Sequence, residues 1–190
     1  EVLLENLYSA ISPGTELAYV KNLENTPGKF PYYPGYSSCC RIKKKGSDVR
    51  GLNVGQIVVC NTKHESHTIV ESSKCIPLPE NVDPEEACVY RLASIALQGV
   101  RKAEIQIGSD IIVFGLGPIG NLTFQLSCVA GSTFIQGVEP IKWRREIAIK
   151  CGIDSICGNA GDLPIDRRYN VVFESTGVPD VIPLAFKVAD

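Results

Sequence analysis

The chain has 190 residues, 44% hydrophobic and 21% charged, which is globular composition, neither low-complexity nor disordered. Nineteen Lys and Arg against 21 Asp and Glu leave a net charge of −2, which offers no basic field to a phosphate backbone and argues against a nucleic-acid partner. The longest apolar run, around residues 111–120, is broken by glycines and a proline and falls short of the ~20 apolar residues a bilayer demands, so no membrane partner is expected.

The first 80 residues or so read as strand and turn. Residues 1–11 and 56–61 are rich in β-branched and apolar side chains. Between them lie turn-forming clusters: Ser12-Pro13-Gly14, Tyr33-Pro34-Gly35 and Lys45-Gly46-Ser47-Asp48. A small barrel or sandwich is expected there. The pattern changes at Asn81-Val82-Asp83-Pro84-Glu85-Glu86. Asp83 can cap a helix, Pro84 suits its first position and Glu86 can close a capping box, so a long helix is expected to run to about Lys102. A buried strand over 111–114 follows, then a glycine turn, then a helix whose Ile119, Leu122, Leu126 and Val129 share one face. Further on, the pattern predicts a strand over 134–139, a helix over 143–151 stopped by Gly152, and a strand over 171–174 leading to Ser175-Thr176-Gly177. This alternation requires a parallel sheet with helices on its faces, and the chain ends before such a sheet is complete. The expected division is a β domain over 1–83 and an α/β domain over 84–190.

The eight cysteines are scattered, mostly among apolar residues, and none has C-x-x-C spacing. They read as small buried hydrophobes of a reduced, cytoplasmic protein. The chain begins at Glu1, lacks Met and shows no signal sequence, so it is expected to be a piece of a longer polypeptide.

Gly115-Leu116-Gly117-Pro118-Ile119-Gly120 reads G-x-G-x-x-G between a buried strand and a helix, and Glu139 lies about 20 residues on at the end of the next strand. In that context the motif predicts a dinucleotide site. Gly115 makes the tight turn, Gly117 lets the backbone approach a pyrophosphate, and Gly120 packs helix on strand, while the helix N-terminus offers N–H groups and partial positive charge. Glu139 can accept hydrogen bonds from ribose hydroxyls, which points to NAD over NADP. Lys142, Arg144 and Arg145 pull the other way, since a basic group can accommodate a 2′-phosphate.

Together with Ser12-Pro13-Gly14-Thr15-Glu16, Pro34-Gly35-Tyr36, Ile76-Pro77-Leu78-Pro79 and Val171-Val172-Phe173-Glu174-Ser175-Thr176-Gly177, this unit resembles the medium-chain dehydrogenase/reductase superfamily, which includes the zinc alcohol dehydrogenases. The resemblance implies a GroES-like β domain followed by a Rossmann doubly wound sheet. It also implies a dimer or tetramer acting on a small-molecule substrate, and Ser175 and Thr176 as cofactor contacts. The positions that carry zinc ligands in the zinc members are here Pro13, Tyr36-Ser37 and Leu92, and the structural-zinc loop of many relatives is missing. The expectation is a zinc-free branch with no metal. Thr15 then matches the hydroxyl that relays a proton in alcohol dehydrogenases. Tyr36 stands where a ligand would and could donate to a carbonyl, and His64 is a candidate proton shuttle. Glu16 matches an acid behind the metal in the zinc enzymes and is expected to be structural. His64 and His67 form H-x-x-H, which a single strand would split between opposite faces. Three readings stand open: a zinc-independent NAD(P)-dependent oxidoreductase of alcohols, carbonyls or activated enones; a dinucleotide-binding protein whose catalytic site has decayed; and a zinc dehydrogenase using unexpected ligands.

Overall fold

A computed structural model describes residues 1–24, 26–164 and 166–190. It divides into two compact units, Glu1–Arg91 and Leu92–Asp190.

In the first unit, β1 (Val2–Ser9), α1 (Pro13–Val20), β2 (Ser38–Lys45), β3 (Ile57–Cys60), β4 (His67–Val70) and β5 (Ile76–Pro77) precede the one-turn helix α2 (Pro84–Ala87). The strands form one antiparallel sheet in the order β4-β1-β2-β3-β5. Alternation puts Val2 and Leu4 of β1, Cys40 and Ile42 of β2, and Val58 and Cys60 of β3 on one face, where they bury together with Val49, Leu52 and Cys75. Two features differ from expectation. β2, with the sequence SCCRIKKK, lacks the β-branched signature and ends in lysines that read as turn. Ser12-Pro13-Gly14 begins a helix instead of making a turn: Ser12 precedes it in extended conformation, Pro13 occupies its first position, and the Glu16 carboxylate accepts the Ser12 N–H at 2.9 Å.

Asp83 caps α2 as expected, its carboxylate accepting the Glu85 N–H at 2.7 Å. The long helix is interrupted after Ala87 and resumes as α3 (Tyr90–Lys102). At that break the Ser37 hydroxyl donates to the Cys88 carbonyl at 2.6 Å and accepts the Arg91 N–H at 3.3 Å.

The second unit continues with β6 (Asp110–Phe114), α4 (Pro118–Val129), β7 (Phe134–Val138), α5 (Lys142–Lys150), β8 (Ile156–Cys157), β9 (Val171–Glu174) and α6 (Val181–Val188). Its sheet is parallel, in the order β8-β7-β6-β9. β6 is buried on both faces: Ile111 and Val113 pack with Phe124, Ala148 and Ile153, and Ile112 and Phe114 with Tyr169 and Val188. Helices therefore cover both sides, which is the doubly wound arrangement.

α4 buries a face other than its apolar stripe. The apolar stripe Ile119, Leu122, Leu126 and Val129 is not the buried one; Gly120, Thr123, Phe124 and Ser127 face inward, and Val129 is 86% exposed. The reason is steric. A Cβ on Gly120 would lie 1.8 Å from the Gly115 carbonyl oxygen, so the helix approaches the strand end on its glycine and the residues spaced three, four and seven along follow it inward. Close backbone approach outranks hydrophobic periodicity here.

Candidate functional site

The glycine loop leaves β6 and enters α4. Gly115 has φ +82°, a conformation that disfavours any side chain, and a Cβ there would also meet Thr176 Cγ2 at 2.9 Å. Gly117 caps α4 with ordinary φ (−65°), and a Cβ on it would meet nothing within 4 Å. Two of the loop's glycines thus serve packing, whereas Gly117 opens onto free space. The first intrahelical bond runs from Asn121 N–H to the Gly117 carbonyl, Pro118 has no N–H, and among the described residues nothing accepts from the N–H groups of Ile119 and Gly120. These are the donors that a phosphate would meet. The Leu116 side chain is buried in the core, close against Gly137, and so is an anchor for the loop.

Glu139 is placed otherwise than expected. It is 1% exposed, with one oxygen accepting the Leu116 N–H and the other the Ile141 N–H, each at 2.9 Å. Arg144 Nη1 lies 3.7 Å from the same carboxylate, and Arg145 donates to the Glu139 and Pro140 carbonyls at 2.7 Å each. Glu139 therefore ties the glycine loop to the end of β7 with both oxygens engaged on backbone. Thr176 is likewise committed: its hydroxyl donates to the Glu174 carboxylate and accepts the Val178 N–H at 2.9 Å.

A cavity of about 320 Å³ opens at the C-terminal ends of these strands, within the size range of small-molecule pockets, about 300–1,000 Å³. It brings together Gly115, Glu139, Arg144, Ser175 and Thr176 of the expected contacts, whereas Leu116, Gly117, Pro118, Ile119 and Gly120 lie outside its lining. Ile141, Asn159 and Val178 line it as well. Asn159 went unrecognised because β8, the strand before it, is only two residues long. In open α/β sheets ligands bind at this end of the strands, where strand order reverses.

In the first unit, the His64 ring bridges two groups, with Nδ1 2.9 Å from Ser9 Oγ and Nε2 3.2 Å from Glu16 Oε1. The Glu16 oxygen that meets His64 also accepts the Ser12 N–H, so the helix cap and the histidine share one carboxylate. Ser12 Oγ and Thr15 Oγ1 lie 3.2 Å apart, which joins Thr15 to the same network. The Pro34 carbonyl accepts the His64 N–H at 2.9 Å, and Gly35, at φ +107°, leaves no room for a Cβ, which would lie 2.5 Å from His64 N. That contact seats the following residue, Tyr36, half-buried. Beside it the Tyr19 and Tyr32 rings stack at 3.9 Å, and hydrogen bonding with Tyr19, burial and the neighbouring Glu16 and Tyr36 raise the Tyr32 phenol above its ordinary range. His67 lies exposed in β4 and His64 before that strand, so the two do not face a common centre.

No family model matches the chain. D-guloside 3-dehydrogenase of Escherichia coli is 31% identical over 155 residues, 75% of this chain and 44% of that protein. The chloroplastic NADPH-dependent alkenal/one oxidoreductase of Arabidopsis thaliana is 27% identical over 198 residues, 95% of this chain and 51% of that protein. A Sinorhizobium meliloti protein solved with NADP bound matches at TM-score 0.84 and 20% identity, over 100% of this chain and 66% of that one. The chain belongs to the medium-chain dehydrogenase/reductase superfamily. It spans about half the length of the curated relatives it matches.

Of the positions that the resemblance matches to zinc ligands, two carry no donor atom. Pro13 begins α1 and Leu92 is buried in α3, and neither offers a donor atom. The Ser37 hydroxyl is spent on the Cys88 carbonyl and the Arg91 N–H. Among the described residues no three His, Cys, Asp or Glu side chains gather as a metal site.

Proposed function

We propose that the protein is a zinc-independent, NAD(P)-dependent oxidoreductase that moves a hydride between a nicotinamide and a small alcohol, carbonyl or activated enone. The observation that carries the reading is the glycine loop, with Gly117 free of neighbours and the first N–H groups of α4 free of acceptors. Hydride chemistry is what the nicotinamide supplies when bound. The chain's residues bind and orient it: Ile119 and Gly120 N–H receive phosphate, and Arg144 lines the cavity where a ribose and its substituent would lie.

A preference for NAD requires a Glu139 carboxylate free to take ribose hydroxyls. That carboxylate is committed to Leu116 and Ile141, with Arg144 beside it, which supports NADP as readily as NAD. The NADPH-dependent relative and the NADP-bound neighbour support the same widening.

For the substrate oxygen, Tyr36 is the proposed hydrogen-bond donor and Thr15 a second candidate hydroxyl. His64, held by Ser9 and Glu16, exchanges the proton. The protein is proposed to act in the cytoplasm as a homo-oligomer. Among the described residues no helix is long and apolar enough to cross a membrane.

Two measurements test this. Trp143 is the only tryptophan and stands next to Arg144, so NADPH or NADH should quench its emission and draw energy transfer. Gly117→Glu should keep the unfolding temperature, because a side chain fits there, yet weaken binding tenfold or more, a loss of about 1.4 kcal/mol or above, by aiming a carboxylate at the phosphates. No binding by the unaltered protein would overturn the reading. With an aldehyde, ketone and enone panel, Tyr36→Phe and His64→Ala should each lower turnover, by about 10²–10⁴-fold for a lost proton-transfer group. Binding without turnover, indifferent to both changes, would instead identify a dinucleotide-binding protein without catalysis.

A further inference from the structure

Two buried thiols outside both sites are placed opposite one another. β3 and β5 pair antiparallel with Val58 opposite Pro77 and Val59 opposite Ile76. One further step of that register sets Cys60 opposite Cys75. The Leu78 N–H donates to the Ile57 carbonyl at 3.0 Å, which makes Ile57 and Leu78 a hydrogen-bonded pair. Counting along the alternation, 58/77 is a non-hydrogen-bonded pair, which suits a proline without an N–H, and so is 60/75. At such a pair Cα atoms are about 4.5 Å apart and side chains are closest, at the short end of the 4.4–6.8 Å span that a disulfide bridges. Both side chains point into the same core, Cys60 0% and Cys75 8% exposed. Cys40 borders the pair on β2, opposite Val58 and thus diagonal to Cys60, a spacing of about 7–8 Å that a disulfide does not span.

We propose that Cys60 and Cys75 are an oxidation-sensitive dithiol that closes to a disulfide with hydrogen peroxide. The Cys60 sulfur attacks one peroxide oxygen and the O–O bond breaks. The departing hydroxide takes a proton and leaves as water, and Cys60 becomes a sulfenic acid. The Cys75 sulfur then attacks the Cys60 sulfur, the S–O bond breaks, and the hydroxyl leaves as water with the Cys75 proton. In sum, two thiols and one peroxide give one disulfide and two waters. The order of events follows from the environment. The neighbouring Cys75 thiol, with the Asn61 N–H and Lys74, lowers the Cys60 thiol below its ordinary range, while Cys60 and burial push Cys75 up. Burial pushes Cys40 up to about 12, which keeps it the inert neighbour. The bond would close residues 60–75, the segment carrying His64, into a loop.

The test is a thiol map of the purified protein after brief peroxide treatment, alkylation in denaturant and digestion. The expected result is a Cys60 peptide linked to a Cys75 peptide, an intact mass lower by about 2 Da, and reversal of both by dithiothreitol. Cys75→Ser should lose the link and leave Cys60 as a sulfenic acid trapped by dimedone. If that variant does not fold, the map of the unaltered protein decides alone. Alkylation of both residues while the exposed Cys128 and Cys151 oxidise, or a link from Cys60 to Cys40, would overturn the proposal.

Discussion

Gly120→Ala should weaken nicotinamide-nucleotide binding and lower the stability of the second unit together. The added methyl would stand 1.8 Å from the Gly115 carbonyl oxygen and 2.9 Å from the Gly115 carbonyl carbon, with Ser175 Cβ next at 3.4 Å. The two closest atoms are backbone and have no rotamer to change, so either α4 lifts from β6 or the Gly115 turn unwinds. Overpacking of a side-chain core costs roughly 1–3 kcal/mol, and a clash with backbone belongs at or beyond the upper end, about 3 kcal/mol. For a unit of this size that is a fall in unfolding temperature on the order of 10 °C or more. Thermal unfolding followed by circular dichroism, alongside NADPH titration, reads both consequences. A variant that melts like the unaltered protein would show that the helix does not approach the strand in this way.

Glu139→Ala should be comparably severe, for a different reason. It leaves the buried Leu116 N–H without an acceptor and frees the start of α5 at Ile141. Hydrogen bonds to a charged acceptor contribute roughly 1.5–3 kcal/mol each, and a stranded buried donor adds its desolvation cost. The expected loss is about 3 kcal/mol, with binding weakened as well because the glycine loop is no longer tethered. Glu139→Gln should fall between, since its carbonyl oxygen replaces one acceptor while its NH₂ meets the other N–H as donor to donor. Had Glu139 served the ribose alone, both variants would unfold like the parent and differ only in nucleotide affinity. Chemical denaturation of the three proteins separates the cases.

The second unit is the more legible half, because its grammar is local: a strand apolar from Ile111 to Phe114, a glycine turn and a helix occupy consecutive residues, and the glycine spacing carries its own steric logic. What escaped was burial. In sequence, Glu139 is an acid at the end of a strand, and only the packed loop shows that it is spoken for by two backbone N–H groups. The inward face of α4 escaped for a related reason, since hydrophobic spacing cannot weigh a leucine stripe against a glycine that must touch a carbonyl. In the first unit, α1 was hidden because Ser-Pro-Gly reads equally as a turn and as a helix start, and the cap from Glu16 decides between them. β2 was hidden by its cysteines and lysines, which are held in the sheet by pairing with β1 and β3. Thr15, Tyr36 and His64 stand out in the sequence only by resemblance, and the tie between His64 and Glu16, 48 positions apart, has no local signature.

The glycine at 117 is the one of the loop's three that folding does not require, since its backbone suits any amino acid and its surroundings would tolerate a methyl group. A lineage that ceased to use a nucleotide would be free to drift there while keeping its sheet intact. That position therefore works as a natural reporter: bulky substitutions in related sequences would mark descendants that kept the architecture and abandoned the coenzyme, whereas changes at 115 or 120 would be purged in either case.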